Sequence, residues 1–206
     1  MESHWLDWAK RLQAIAQNGL TYARDHFDVE RYRQVQLISA EILSVSSGQD
    51  IDRISGLFDQ QVGYATPKVD VRGVVFRNAR ILLVKEAADR RWTLPGGWAD
   101  PSESPREAVE REVYEESGFR TRAVKLLAVY DRSKHPHEPP FAFHVYKLFI
   151  LCQIVGGEPT RSAETEAVDF FGEESMPELS VSRVTEGQIR RLFEHGRNMQ
   201  LPTDFD

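Results

Sequence analysis

The chain has 206 residues, and at roughly 150 residues per domain that is one domain plus an extension. Its 26 Lys and Arg against 32 Asp and Glu give a net charge of −6. That balance disfavours broad nucleic-acid binding but admits a phosphate substrate, because a metal ion reverses the local field. A hydrophobic fraction of 41% excludes disorder throughout, and the lone Cys152 excludes an internal disulfide and a Cys-rich zinc site. A reducing, cytoplasmic compartment is expected, with neither a membrane span nor a secretory signal.

The first 45 residues read as helical. Trp5, Trp8, Ala9, Leu12, Ile15, Ala16 and Ala23 fall on one stripe. A second helix is expected to start at Asp28 as N-cap, with Phe27 and Tyr32 as a hydrophobic staple. Val29, Tyr32, Val35, Ile38 and Ile42 continue its apolar side. Together they predict an αα-hairpin, too small to bury much alone. Trp5 and Trp8 are expected to pack the hairpin on the rest of the chain. Ser46 to Asp50 is a composition break, and Ile51 to Gln60 reads as a short connecting helix. The expected organisation is a helical extension over 1–60 and a second domain over 67–206.

From Pro67 the period changes. Lys68 to Phe76 and Arg80 to Glu86 read as strands around a turn at Asn78. Ala123 to Tyr130 and His144 to Ile154 are two more, flanking a polar loop from Asp131 to Pro140. Ala167 to Phe171 is a short strand candidate. The last helix carries a capping box, Thr185 with Gln188, and a stop at Gly196. Strands interspersed with helices predict an α/β fold with a helix-covered mixed sheet.

The stretch GGWADPSESPREAVEREVYEESGF, Gly96 to Phe119, carries the chemistry. A Gly pair lets the backbone turn sharply. Ser104, Pro105 and Glu107 then form a complete helix start, and Gly118 supplies the stop. With Glu112 at zero, Glu116 falls near roughly +40° and Glu115 near −60° at ~100° per residue. Three carboxylates on adjacent turns repel one another on a bare helix. As clustered oxygen ligands they suit Mg²⁺ or Mn²⁺.

This stretch resembles the Nudix box, G-x5-E-x7-R-E-U-x-E-E-x-G-U. Gly97, Glu103, Arg111, Glu112, Val113, Glu115, Glu116, Gly118 and Phe119 match every fixed position. The resemblance implies the Nudix α/β/α sandwich around a mixed sheet over about residues 67–196, preceded by the helical hairpin. It implies hydrolysis of a nucleoside diphosphate linked to a second moiety X. By that resemblance Glu112 and Glu116 hold the metal, Glu115 shares it or binds a second ion, and a carbonyl near Gly97 is a further ligand. Arg111 orients the glutamates, and Glu103 pairs back toward it. The proton acceptor is left open among Glu112, Glu115 and Glu164.

The hairpin and several later segments look like those of a Nudix subgroup active on CDP-choline or ADP-ribose. A homodimer is the expected assembly, the extension either forming its interface or shaping the nucleotide pocket, with a small nucleotide substrate as the other partner and no nucleic acid. Arg91 and Trp92 precede the Gly pair, and Trp92 could stack on a base or pack in the core. Lys134, His135 and His137 lie in the long loop, either on phosphate or in a solvated turn. Arg183 could reach a phosphate or pair with Glu186. The competing readings are trimming of RNA 5′ ends and a nucleotide-sensing, partner-binding module.

Overall fold

A computed structural model describes residues 4–206. The chain forms two compact units. The first runs to Pro67 and includes Pro139–His144; the second comprises Lys68–Glu138 and Val145–Asp206.

In the first unit α1 (His4–Tyr22) and α2 (His26–Ser47) form an αα-hairpin, followed by α3 (Ile51–Asp59). Its core is Leu6, Ala9, Ala40, Leu43, Ile54 and Phe58, with Ala142 and Phe143 packed against it. The hairpin is close because small residues line it. The Ser39 hydroxyl donates to the Ala9 carbonyl at 2.8 Å.

Two details differ from the sequence reading. The N-cap of α2 is Asp25, whose Oδ1 accepts from the N–H groups of Phe27 and Asp28. Phe27 therefore lies inside the helix and exposed, not in a staple. The buried stripe of α1 is Leu6, Ala9, Gln13 and Ala16, which leaves Trp5, Trp8 and Ile15 exposed. Periodicity weighted the large side chains, whereas the helix contact selects the small ones that permit close approach. Ile38 of α2 is exposed for the same reason, beside buried Ser39 and Ala40.

The second unit is built on β1 (Lys68–Arg77), β2 (Arg80–Glu86), β3 (Trp92–Thr93), β4 (Phe119–Asp131), β5 (Val145–Gly157), β6 (Thr165–Phe171) and β7 (Asp204–Phe205). The sheet order is β3-β2-β1-β5-β4-β7, with β6 also on β2. β1 runs parallel to β5 and antiparallel to β2, so the sheet is mixed. The hairpin between β1 and β2 turns on Asn78 and Ala79, both at positive φ, the geometry of a type I′ turn.

Alternation along β1 sends Val71 and Val75 to one face and Val74 to the other. Val71 and Val75 cluster with Ala108, Val109 and Val113 of α4 (Pro105–Ser117). Val74 clusters with Leu127, Phe149 and Ile189, Leu192 and Phe193 of α5 (Glu186–Arg197). Helices thus cover both faces, an α/β/α arrangement.

Strand β4 starts at Phe119, four residues before the expected point, and β3 and β7 are two-residue strands that no periodicity could announce. Helix α5 runs through Gly196 to Arg197 and is capped by Asn198, so Gly196 is not its stop. It is small because the Phe76 ring packs against it.

Strand β7 is held by Asp204. Its carboxylate accepts from Arg191 Nε at 2.6 Å, Arg191 Nη2 at 2.8 Å and the Tyr130 hydroxyl at 3.1 Å, and lies 3.0 Å from His195 Nε2. Hydrogen bonding from Arg191 keeps its pKa well below the usual carboxylate range, against the opposing effect of burial. That stabilisation is present above the ordinary carboxylate pKa and is lost as pH falls toward the depressed folded value. Asp204→Ala is expected to cost about 2–3 kcal/mol at pH 7 in urea unfolding. The loss should shrink progressively on acidification; an equal loss at pH 7 and pH 3 would contradict it.

Candidate active site

The Gly-rich segment before α4 is zipped onto β1. Gly73 N–H donates to Pro95 O and Val71 N–H to Gly97 O, both at 2.8 Å, and Ala99 N–H donates to Val69 O at 3.0 Å. Gly96 sits at φ +144°, where a Cβ would collide with the carbonyl of Val71. Gly96→Ala is therefore expected to cost about 3 kcal/mol or more. Chemical denaturation checks this, and a loss under 1 kcal/mol would mean the segment can lift from β1.

Helix α4 starts as its sequence dictates. Ser104 caps, Pro105 opens the first turn, and the Glu107 side chain closes the box; Gly118 ends it in the left-handed conformation. Two turns bring the box residues to the Gly segment. The Gly96 N–H donates to Glu116 Oε2 at 2.9 Å. A Cβ on Gly97 would lie 3.0 to 3.2 Å from the carboxylate of Glu112, so glycine is what lets that carboxylate approach.

Arg111 binds the acids together. Its Nε and Nη2 form a fork on Glu103 at 2.8 and 2.9 Å, and its Nη1 donates to Glu112 and Glu115 at 2.9 Å each. Glu103 does pair back toward Arg111, across eight residues. Hydrogen bonds from Arg111 hold the Glu103 carboxyl below its ordinary pKa.

Electrostatics separate the three helical glutamates. Burial pushes Glu116 up to about 8, against the pull of Arg72 and of the Gly96 N–H. Burial also raises Glu112, with Arg111 opposing. Glu115 has a side chain 56% exposed. The expected convergence of three carboxylates is not what the structure shows. Among the described residues no group of three acids or other ligating side chains is assembled for a metal. Glu115 turns to Arg111 and Glu116 to the Gly96 amide, because mutually repelling carboxylates take the nearest donors. A Mg²⁺ site needs only one or two protein carboxylates, the remaining ligands being water and substrate phosphate. Glu112 and Glu116, both oxygen donors and both largely covered, fit that requirement. The Gly97 carbonyl already accepts from Val71 and has one lone pair left.

The other sequence candidates scatter. Glu164 is exposed in the loop before β6, its N–H bonded to Ser162 Oγ and its carbonyl to the Ala87 N–H. Arg91 pairs with Glu178 at 2.8 Å. Trp92 packs edge-on against Phe171 at 4.7 Å, on the hydrophobic core rather than in an open cleft. Lys134 is exposed in a short 3-10 turn. His135 lies 3.2 Å from Asp206. His137 is buried, with Nδ1 at 2.8 Å from the Val181 carbonyl and Nε2 at 3.3 Å from Gln188. Burial pushes it down to about 4. Arg183 pairs with Glu86 at 3.0 Å and Asp89 at 3.3 Å, not with Glu186.

Four charged residues escaped the sequence reading: Asp70, Arg72, Glu86 and Lys147, all buried. Burial raises the pKa of Glu86, which feels Arg72 and Glu164. The available signal was the pattern V-D-V-R-G-V, which places two opposite charges at i and i+2 on one face of an apolar strand.

Comparison with known proteins agrees along the whole length. Residues 66–192 match the NUDIX domain, and residues 3–58 match a family described as a UDP-X-like, N-terminal oligomerisation domain. The chain is 44% identical over 206 residues to the putative ADP-ribose pyrophosphatase YjhB of Bacillus subtilis, covering 100% of this chain and 99% of that protein. The crystal structure of an ADP-ribose pyrophosphatase from Streptococcus suis is 38% identical, with TM-score 0.62 over 68% of this chain and all of that one. A crystal structure of a UDP-X diphosphatase is 28% identical, with TM-score 0.64 over 98% of both chains. With the box built around Arg111 and both parts of the chain matched, the protein belongs to the Nudix hydrolases, with a helical N-terminal segment that a separate UDP-X-like family matches.

Proposed function

We propose that the chain hydrolyses the pyrophosphate bond of ADP-ribose, releasing AMP and ribose 5-phosphate, with Mg²⁺ or Mn²⁺ as cofactor. The observation that carries this is the end-to-end identity with a putative ADP-ribose pyrophosphatase, over a box in which no acidic position is missing. Nudix hydrolases generally use divalent metal ions. Glu112, Glu116 and the Gly97 carbonyl would hold the ion, and Glu115 would have to leave Arg111 to join them. Bound there, it would neutralise the phosphate oxygens that repel a nucleophile.

The chain's own residues do the rest. Arg111 fixes Glu112 and tethers Glu115, and the Gly96 amide fixes Glu116. Glu112 and Glu115 both accept from Arg111 Nη1. Glu164, whose backbone is pinned while its carboxylate is exposed, is assigned as acceptor of the water's proton. Arg91, Lys134, His135 and Arg183 are assigned to the substrate side, where they must leave their carboxylate partners or reach phosphate from the loop. Trp92 keeps a supporting role beneath them. A homodimer forms through α1 and α2, whose exposed Trp5, Trp8, Leu37 and Ile38 await cover. No helix among the described residues is long and apolar enough to cross a membrane, and the buried thiol of Cys152 suits the cytoplasm.

The 28% identical UDP-X diphosphatase structure favours a second reading, a UDP-linked substrate. The test is a panel of ADP-ribose, UDP-sugars, CDP-choline and 5′-triphosphorylated RNA, with Mg²⁺ and with Mn²⁺. ADP-ribose turned over with the highest kcat/KM supports the proposal. Preference for a UDP derivative or CDP-choline replaces the substrate, and action on RNA ends alone overturns the reading.

A further inference from the structure

Three charges are buried together on the α5-facing side of β1 and β5. Asp70 and Arg72 are each 4% exposed and Lys147 is 2% exposed. Arg72 Nε and Nη2 fork onto the two Asp70 oxygens at 2.9 and 2.7 Å. Lys147 Nζ donates to Asp70 Oδ1 at 2.6 Å from the neighbouring strand, where the two residues are register partners. Burial opposes the charge of Asp70, yet Arg72 and Lys147 together hold it down at about 2.

Such a cluster is hard to justify by stability. Desolvating three charges costs several kcal/mol each, and well-packed apolar residues often do as well or better in their place. What the cluster holds is more telling. The remaining arm of the guanidinium, Nη1, donates to the carbonyl of Leu94 at 3.2 Å. Leu94 lies two residues before Gly96, whose amide holds Glu116, and three before Gly97, against which the Glu112 carboxylate lies. The next contacts along the segment, Pro95 O with Gly73 and Gly97 O with Val71, flank Arg72 on β1. Asp70, itself held by Lys147, fixes the Nε–Nη2 edge of the guanidinium, and that leaves Nη1 directed at Leu94.

We infer that the Asp70–Arg72–Lys147 cluster is a positioning device that sets the Leu94–Gly97 segment, and through it the carboxylates of Glu116 and Glu112, for metal binding. None of the three touches substrate or metal in this role. The inference rests on the metal role assigned to those glutamates above.

The test is Mn²⁺ binding by electron paramagnetic resonance, without substrate, on the full chain. Arg72→Lys keeps the charge but loses the fork and its reach to Leu94. It is expected to weaken Mn²⁺ binding about tenfold or more, the size of loss typical when partners behind metal ligands are removed. Its kcat should fall with KM for the nucleotide little changed. Lys147→Met removes one of the two donors on Asp70 Oδ1 while leaving Arg72 in place, and a smaller loss in the same direction is expected. A purely structural cluster would lower the melting temperature and leave Mn²⁺ affinity alone. Folded Arg72→Lys with affinity within twofold of wild type overturns the inference. If that variant does not fold, Lys147→Met decides: unchanged Mn²⁺ affinity overturns the inference, and weakened affinity supports it. Wild-type protein that binds no Mn²⁺ overturns the metal reading itself, whereas equal binding by wild type and variants removes only the positioning role.

Discussion

Glu116→Gln is expected to lower kcat by about a hundredfold or more, the upper end of losses seen when a metal site is perturbed even indirectly, while the fold survives intact. The amide is isosteric and its oxygen can still accept from the Gly96 N–H, so that buried donor keeps its partner. Stability should move the other way. Burial lifts Glu116 from its ordinary 4.5 to about 8. Below about pH 4.5 the carboxyl is protonated in folded and unfolded chain alike. Between 4.5 and about 8 the unfolded chain releases the proton and the folded chain keeps it, so stability falls as pH rises through that window and stays lowered above it. Glu116→Gln removes this dependence. In chelator-treated protein the variant should match wild type near pH 5 and exceed it at pH 8, read from urea midpoints. Turnover within tenfold of wild type would take Glu116 out of the metal role, and parallel stability profiles would contradict its burial.

The same residue shows what could be read from the chain. Helix α4 was legible because every signal in it is local: cap, proline, box and stop lie within 15 residues, and the 100° rotation places the glutamates without any knowledge of the rest. The box glutamates and Arg111 follow directly. What was illegible depends on distant partners. Lys147 finds Asp70 across 77 residues, and Arg183 chooses Glu86 and Asp89 over the neighbouring Glu186 because the turn after β2 brings them near. Nor could the angular reading show where carboxylates point. It put three on one arc, but a side chain with three rotatable bonds settles by its donors, and Arg111 and the Gly96 amide draw them apart. In the hairpin, large apolar residues dominated the periodicity while the helix contact was made by Ala9, Ala16, Ser39 and Ala40. The overlooked preference is for close approach, which favours small side chains over greasy ones.

Arg111→Met is expected to lose about 10–100-fold in kcat, and Arg111→Lys to recover only part of it. The guanidinium serves three carboxylates at once, with a fork on Glu103 and one nitrogen shared by Glu112 and Glu115. A lysine can supply the charge but not the planar fork, so geometry rather than net charge should dominate the deficit. The contacts are not equal. Glu115 is more than half exposed, and its pair is screened by solvent; Glu112, largely covered, depends on Arg111 to offset its burial. Removing Arg111 therefore raises the pKa of Glu112 further, because burial is then opposed by Arg72 alone. Metal binding by the variant should need a higher pH, with the acid limb of its pH–kcat/KM profile moving to the alkaline side of wild type. Glu103→Gln should reproduce a milder version, since it removes one of the two acceptors of the fork but leaves the shared nitrogen on Glu112. A profile for Arg111→Met that is reduced in height with its acid limb unmoved would mean that Arg111 only holds the helix start together, and that Glu112 owes it nothing.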